Sequence, residues 1–303
     1  MRRLHSRLAR YALLVCLVST QALAWGPDGH QTVGAMADQL LAGTHAATQV
    51  KALLGGLSLQ QASVWADCAK GINPRKNYAD APVGKHPECT PFETPAGEAA
   101  LSDFVRRNDT NCQPKPGEES CHQQYHYTDV AIQHDRYQPG LIGTRDDDLV
   151  QAVIATTQVL QGHTAPAPFN LKDSREALLL LTHYVGDLHQ PLHVGAIYLD
   201  KQGTRVNPDT GTFDPQTDTH GGNKLILKGI TRDLHTLWDT IPASLTASHL
   251  NATWLQQAEG IPATAGPVLE WPTRWAGETL AGAQHAFRGL RFSIKVGRCN
   301  ATA

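Results

Sequence analysis

Thr182-His-Tyr-Val-Gly-Asp-Leu-His-Gln-Pro-Leu-His193 decides the reading of this 303-residue chain. It closes an apolar run opened by Asp173-Ser-Arg-Glu176, which has the form of a capping box. The run ends near Gln190, where Pro191 stops a helix from continuing. His183 and Asp187 are four residues apart on that helix and share one face. His193 follows just beyond the proline. Imidazole and carboxylate at this spacing are what a helix offers a divalent metal such as zinc. One such pair is more often an ordinary salt bridge. Leu234-His-Thr-Leu-Trp-Asp239 repeats the spacing with His235 and Asp239, and two pairs, one beside a third histidine, point to a site.

Working outward, the periodicity stays helical. Residues 27–41 begin with Pro and Asp, as a helix N-terminus should. Further helical patterns cover about 44–54, 58–69, 97–108, 146–161, 231–239 and 268–289, with a kink expected at Pro272. Extended runs are few, the clearest being 125–132 and 224–227. Tracts 71–96 and 200–222 are rich in Gly, Pro, Asp and Thr and read as loops. The expected fold class is mainly α, with long loops and little β. No repeat or linker divides the chain, so one domain is expected over 25–303.

Residues 1–24 stand apart. Arg2, Arg3, Arg7 and Arg10 precede a mostly apolar run of 13 residues, 11–23, and Ala22-Leu23-Ala24 ends it as a small-x-small cleavage signal. The run is short of the roughly 20 residues a membrane span needs. It reads as a secretory signal peptide cleaved after Ala24, with export to the periplasm or the medium. Removing its four arginines takes the net charge from −2 to −6. That is not the surface of a protein that holds nucleic acid by its own basic residues alone, although bound cations reverse the sign locally. The mature chain keeps Cys68, Cys89, Cys112, Cys121 and Cys299. Cys112 and Cys121 can close a short disulfide loop, but connectivity does not follow from sequence, and an odd count leaves one thiol over or intermolecular.

Three further elements carry chemistry. Trp25-Gly-Pro-Asp-Gly-His30 lies at the expected mature terminus, where a free α-amine can lose its proton and bind metal together with the first carbonyl oxygen. Trp65-Ala-Asp67 sits near a helix end with Lys70 three residues on. His126-Tyr-Thr-Asp129 falls in an extended segment. None of these is specific alone; an ordinary hydrophobic terminal Trp, for instance, accounts for the first.

In this order, the elements resemble the trinuclear zinc, single-strand-specific nucleases of the S1/P1 type. The resemblance runs from Trp25 to Asp239, with all nine metal-ligand positions filled. It implies a multi-helix fold shared with zinc phospholipase C and three Zn2+ per chain. Asp67, His126, His183 and Asp187 would hold one ion. Trp25, His30 and Asp187 would hold a second, with Asp187 bridging the pair. His193, His235 and Asp239 would hold a third. Lys70 matches a phosphate-side lysine, and Tyr127 and Asp129 match base-binding positions. Gly221-Gly-Asn223 matches a phosphate-contacting motif, but the acidic residue usual two before its first glycine is replaced by Thr219, with Asp218 one earlier.

The resemblance also implies an endonuclease acting on single-stranded DNA and RNA, leaving 5′-phosphates, with 3′-nucleotides as further substrates. Asp67 would orient and deprotonate the attacking water. A monomer without stable membrane association is expected. Two rival readings stay open: a zinc phospholipase C, which usually carries Glu at the Asp239 position, and a non-catalytic zinc-binding protein. A mononuclear zinc peptidase lacks its His-Glu-x-x-His. His45, His86, His122, His134, His163, His249 and His285 have no spaced partners and read as surface or structural, while His189 points away from the His183/Asp187 face.

Overall fold

The segment expected to organise the fold does so. In the computed structural model, which describes residues 25–79, 83–115, 118–230, 232–295 and 298–302, Asp173 caps the helix Ser174–Leu188 by accepting from the Glu176 amide at 2.8 Å. The reciprocal half of a capping box does not form. The Glu176 carboxylate instead accepts from the Lys172 amide (2.9 Å) and from Arg107 (2.6 Å), tying this helix to a neighbour. The signal peptide and its cleavage site lie outside the described residues.

In chain order the α-helices are α1 (Pro27–Leu40), α2 (His45–Leu53), α3 (Leu59–Ala62), α4 (Trp65–Lys70), α5 (Pro95–Arg107) and α6 (Cys121–Gln124). They continue with α7 (Leu149–Leu160), α8 (Ser174–Leu188), α9 (Pro191–Val194), α10 (Leu234–Trp238), α11 (Ala252–Glu259) and α12 (Trp271–Ala286). Helices α1, α3, α4, α7, α9 and α12 all pack on α8. Its buried stripe therefore nearly encircles it, and Leu180, His183, Tyr184 and Asp187 follow the helical repeat along that stripe. Two of these four are polar, in positions where packing alone would select apolar residues. The fold is mainly α, as the periodicity implies.

Three expectations are corrected. The pattern over 58–69 is two helices, α3 and α4, broken at Ser63-Val64. Pro272 produces no kink; it occupies the first turn of α12, where its missing N–H has no helical partner to lose. Of 125–132 only β1 (Val130–Ala131) is strand, because Tyr125 caps α6 and the Asp129 amide donates to the Gly143 carbonyl rather than to a ladder.

Strand β1 pairs in parallel with β2 (Gly195–Ala196), and β3 (Tyr198–Leu199) pairs antiparallel with β4 (Arg205–Val206). The expected strand near 224–227 is β5 (Leu225–Leu227). It runs parallel to β7 (Arg298–Thr302), which is antiparallel to β6 (Arg291–Lys295). This terminal hairpin was not expected from the sequence. Cys112–Cys121 closes the anticipated short loop, and Cys68–Cys89 ties the 71–96 tract back onto α4. No helix among the described residues is long and apolar enough to cross a membrane.

His122 is structural, and buried: it is 1% exposed, with its ring edge-on to Phe104 and both ring nitrogens lacking a partner among the described residues. Burial pushes its pKa down to about 4 from 6.5. The unfolded chain therefore binds a proton that the folded chain refuses. Stability is lost as pH falls from 6.5 towards about 4, by about 3 kcal/mol in total. Denaturant midpoints of chelated His122→Gln protein should fall less steeply with pH across this window than those of chelated wild type. An unchanged slope would show that the ring does not titrate there.

Candidate metal centre

The two breaks in the helical pattern position the site. At the first, the free Ser63 carbonyl between α3 and α4 accepts from His183 Nδ1 at 2.6 Å. That bond fixes the His183 tautomer and aims its Nε2 at Asp187 Oδ2, 3.1 Å away. At the second, buried Gln190 caps α9 through its side-chain oxygen while its Nε2 donates to Asp239 Oδ1 at 2.9 Å. Gly186 on α8 is needed for a different reason: a Cβ there would lie 2.7 Å from His30 Nδ1. The close approach lets the His30 ring stack on His183, with centroids 3.8 Å apart.

Asp187 is the hub. Its carboxylate is 1% exposed and lies 2.9 Å from His126 Nδ1, 3.1 Å from His30 Nε2 and 3.6 Å from His193 Nδ1. Burial opposes its charge, but His183, His193 and His30 hold its pKa well below the usual carboxylate range. Asp67 lies 3.5 Å from His183 Nε2 and 2.7 Å from Lys70 Nζ on the same short helix. Burial works against its charge too, and Lys70 followed by His183 overcomes it.

The third cluster is assembled by the non-local β1–β2 pairing. Thr128 N donates to His193 O at 2.8 Å, drawing the His126 and His193 segments together. His193 Nδ1 donates to the His126 carbonyl at 2.7 Å, and His235 Nδ1 donates to the Gly221 carbonyl at 2.9 Å. Gly221 has φ +54°, and a Cβ would lie 2.1 Å from the Leu192 carbonyl oxygen, so the glycine is required for the turn that orients His235. With both Nδ1 atoms donating, the two Nε2 atoms face each other at 3.2 Å. Two neutral imidazoles in these tautomers would oppose lone pairs, so a proton or a metal cation must sit between them. Asp239 lies 3.4 Å from His235 Nε2 and 3.8 Å from His193 Nε2, completing a donor set for a cation.

Among the described residues, ligand atoms within 4.8 Å of one another form three groups: His30, His183 and Asp187; Asp67, His126 and His183; His193, His235 and Asp239. His183 belongs to two of them, and Asp187 also touches His126 of the second. His30 Nε2, His126 Nδ1 and His183 Nε2 all converge on the Asp187 carboxylate, whose buried Oδ1 has no hydrogen bond among the described residues, as suits an acceptor placed for a cation. The donor chemistry and its second layer of carbonyl acceptors suit zinc.

These groups open onto a cleft of about 830 Å³ that Trp25, Lys70, Tyr127, Asp129 and Asn223 also line. Trp25 is pinned there because the Gly26 amide donates to the Asp239 carbonyl at 2.6 Å and the indole packs on Gly29. Tyr127 is half-buried, its hydroxyl donating to Glu119 at 3.2 Å. Asp129 is 9% exposed; burial and then Asp218 push its pKa well above the usual carboxylate range. Asn223 is exposed and donates to the His220 carbonyl at 3.0 Å. Asp218, displaced by one position, accepts from the His220 amide at 3.0 Å.

Sequence reasoning passed over Gln190, which lies inside the ligand string directly before a proline, a helix-capping position. It also passed over His220, which lines the cleft and directly precedes Gly221. His189 is exposed and donates to the Val185 carbonyl, away from the ligands as expected.

Residues 25–278 match the family model described as S1/P1 nuclease. The chain belongs to the S1/P1 nuclease family. It is also similar to Endonuclease 2 of Arabidopsis thaliana, with 32% identity over 87 residues. That similarity spans 28% of this chain and 23% of the plant protein. The three candidate groups, His30/His183/Asp187, Asp67/His126/His183 and His193/His235/Asp239, all lie within the matched region.

Proposed function

We propose that this S1/P1 family member is a secreted, zinc-dependent endonuclease that hydrolyses single-stranded DNA and RNA to 5′-phosphate products. We propose that it also removes the phosphate of 3′-nucleotides. The observation that carries this reading is the convergence of three His/Asp donor groups on one cleft. Asp67, Asp129, Asp187, Asp239 and Glu119 line that cleft against Lys70 and Lys224, so a polyanion is admitted only once cations reverse the field.

When bound, zinc ions supply a water of lowered pKa as nucleophile and positive charge beside the phosphate and the departing O3′. The residues do the rest. Asp67, partly exposed at the cleft, orients the attacking water and takes its proton. Lys70, held beside Asp67, offers its ammonium to a non-bridging phosphate oxygen. Tyr127, its ring fixed by Glu119, stacks the neighbouring base, and Asp129 hydrogen-bonds the base edge. Asn223, which lines the same cleft, meets the phosphate.

A paired base keeps its edge occupied and its faces stacked, so using Tyr127 and Asp129 requires opening a duplex, at a cost of a few kcal/mol. Single strands should therefore react roughly 10–1000-fold faster than duplex.

The test is a panel of single-stranded DNA, RNA, a 3′-nucleotide, duplex DNA and phosphatidylcholine, each before and after chelation. The first three should be hydrolysed, and chelation should abolish this. In Tyr127→Ala, KM should rise and strand preference should weaken with zinc retained. Turnover of phosphatidylcholine without cleavage of polynucleotide would overturn the reading.

A further inference from the structure

Beyond Lys70, Glu119 and Gln123 the catalytic cleft continues into a second depression of about 520 Å³, which shares those three residues and adds Asn73, Arg75 and Ser120 to its walls. That volume lies within the range of small-ligand sites. Its outer wall is the turn Pro74–Lys76, capped by the Asn73 side chain, which accepts from the Arg75 amide at 2.9 Å. The turn is followed by two non-glycine residues in the left-handed region, Asn77 at φ 55° and Tyr78 at φ 59°. Such backbone is costly and persists only where its surroundings impose it.

Here the surroundings do. Arg106 lies 4.1 Å over the Tyr78 ring and donates to the Asn77 carbonyl at 3.1 Å. The Tyr78 hydroxyl donates to Asp109 at 3.2 Å, and Ser102 donates to the Tyr78 carbonyl at 2.9 Å. The turn is held rigidly where it presents Arg75 to the depression.

The charges in this depression are unequally engaged. Asp109 accepts from Tyr78 and Ser120, Glu119 from Tyr127, and Glu118 from the Lys115 amide. Lys70 is paired with Asp67. The exposed Arg75 guanidinium, by contrast, makes no ion pair or side-chain hydrogen bond among the described residues. An uncommitted guanidinium on a rigid wall is suited to bidentate capture of a phosphate.

We propose that this depression is a second nucleotide subsite, in which Arg75 holds the phosphate adjoining the scissile one and the Asn73 and Gln123 amides face its nucleoside. The inference rests on the proposed nuclease reading and concerns substrate length, not the chemical step. A 3′-mononucleotide carries one phosphate, which the metal centre takes, and so cannot use this subsite.

The experiment compares zinc-loaded wild type, Arg75→Ala and Arg75→Lys on a 3′-mononucleotide and on a long single-stranded oligonucleotide. Arg75→Ala should raise KM for the oligonucleotide roughly tenfold, the loss of one charged hydrogen-bonded contact. It should leave kcat on both substrates, KM for the mononucleotide and Tm as in wild type. The log–log salt dependence of oligonucleotide binding should become shallower by roughly 0.7, one phosphate contact on a single strand. Arg75→Lys should restore the salt dependence, which needs one charge, but only part of the affinity, since an ammonium cannot make the bidentate contact. An unchanged oligonucleotide KM, or equal losses on both substrates, overturns the subsite. Wild type that cleaves neither substrate overturns the nuclease reading itself, and the subsite with it.

Discussion

Asp187→Asn should lower kcat by roughly 10³-fold, at the upper end of what loss of one pre-arranged electrostatic contact costs an active site. The carboxylate is fully buried between His30, His126, His183 and His193. An amide removes its charge and turns an N–H towards groups arranged to meet an acceptor, so two proposed metal positions are disturbed together. Asp239→Asn should cost less, roughly 10–100-fold, a loss of the size that altered metal-ligand support produces. Asp239 is more exposed than Asp187 (28% against 1%), and among the described histidines its carboxylate pairs with His193 and His235 alone. Both variants should fold, with reduced zinc content. If the two lose activity equally, or Asp239→Asn is the more damaging, Asp187 does not bridge two metals.

Adding one uncleavable residue before Trp25 should reduce activity on the order of 10²-fold or more, since a ligand should matter at least as much as its supporting shell. The reason is chemical. A free α-amine has a pKa of about 7.7–8.0 and binds metal once deprotonated, whereas an amide nitrogen does not bind in the same way. The surroundings of Trp25 are already committed to the site: its neighbour Gly26 donates to the Asp239 carbonyl, its indole nitrogen is buried, and its side chain lines the cleft beside His30. The otherwise identical protein that begins at Trp25 should have full activity. Full activity in the extended form would remove Trp25 from the ligand set.

What the sequence discloses of this centre is what lies within one turn of helix. His183 with Asp187 and His235 with Asp239 are readable because four-residue spacing places two side chains on one face whatever surrounds them. Helix α8 is readable because Asp173 caps it and Pro191 bars its continuation. The features that join these pairs are tertiary and leave weak local traces. The break at Ser63 interrupts a pattern that would pass as one helix, and its purpose emerges only when α8 packs against it and His183 finds the freed carbonyl. The β1–β2 ladder joins residues 65 apart in sequence through two residues each, too short to register as a strand signal. The His193 and His235 tautomers depend on carbonyls at His126 and Gly221, which no spacing rule connects to them.

The rigid wall beyond Lys70 has only the composition of a loop, because positive φ at Asn77 and Tyr78 is imposed by Arg106, Asp109 and Ser102 from elsewhere in the chain. Local propensity gives no warning of strain whose cause is remote.

Whether three donor groups hold three cations is measured directly by elemental analysis of extensively dialysed protein beginning at Trp25. About three zinc ions per chain are expected, with a fall in Tm when chelator removes them, since sites built from distant segments couple binding to folding. One zinc or fewer per chain, with activity intact, would contradict a trinuclear centre.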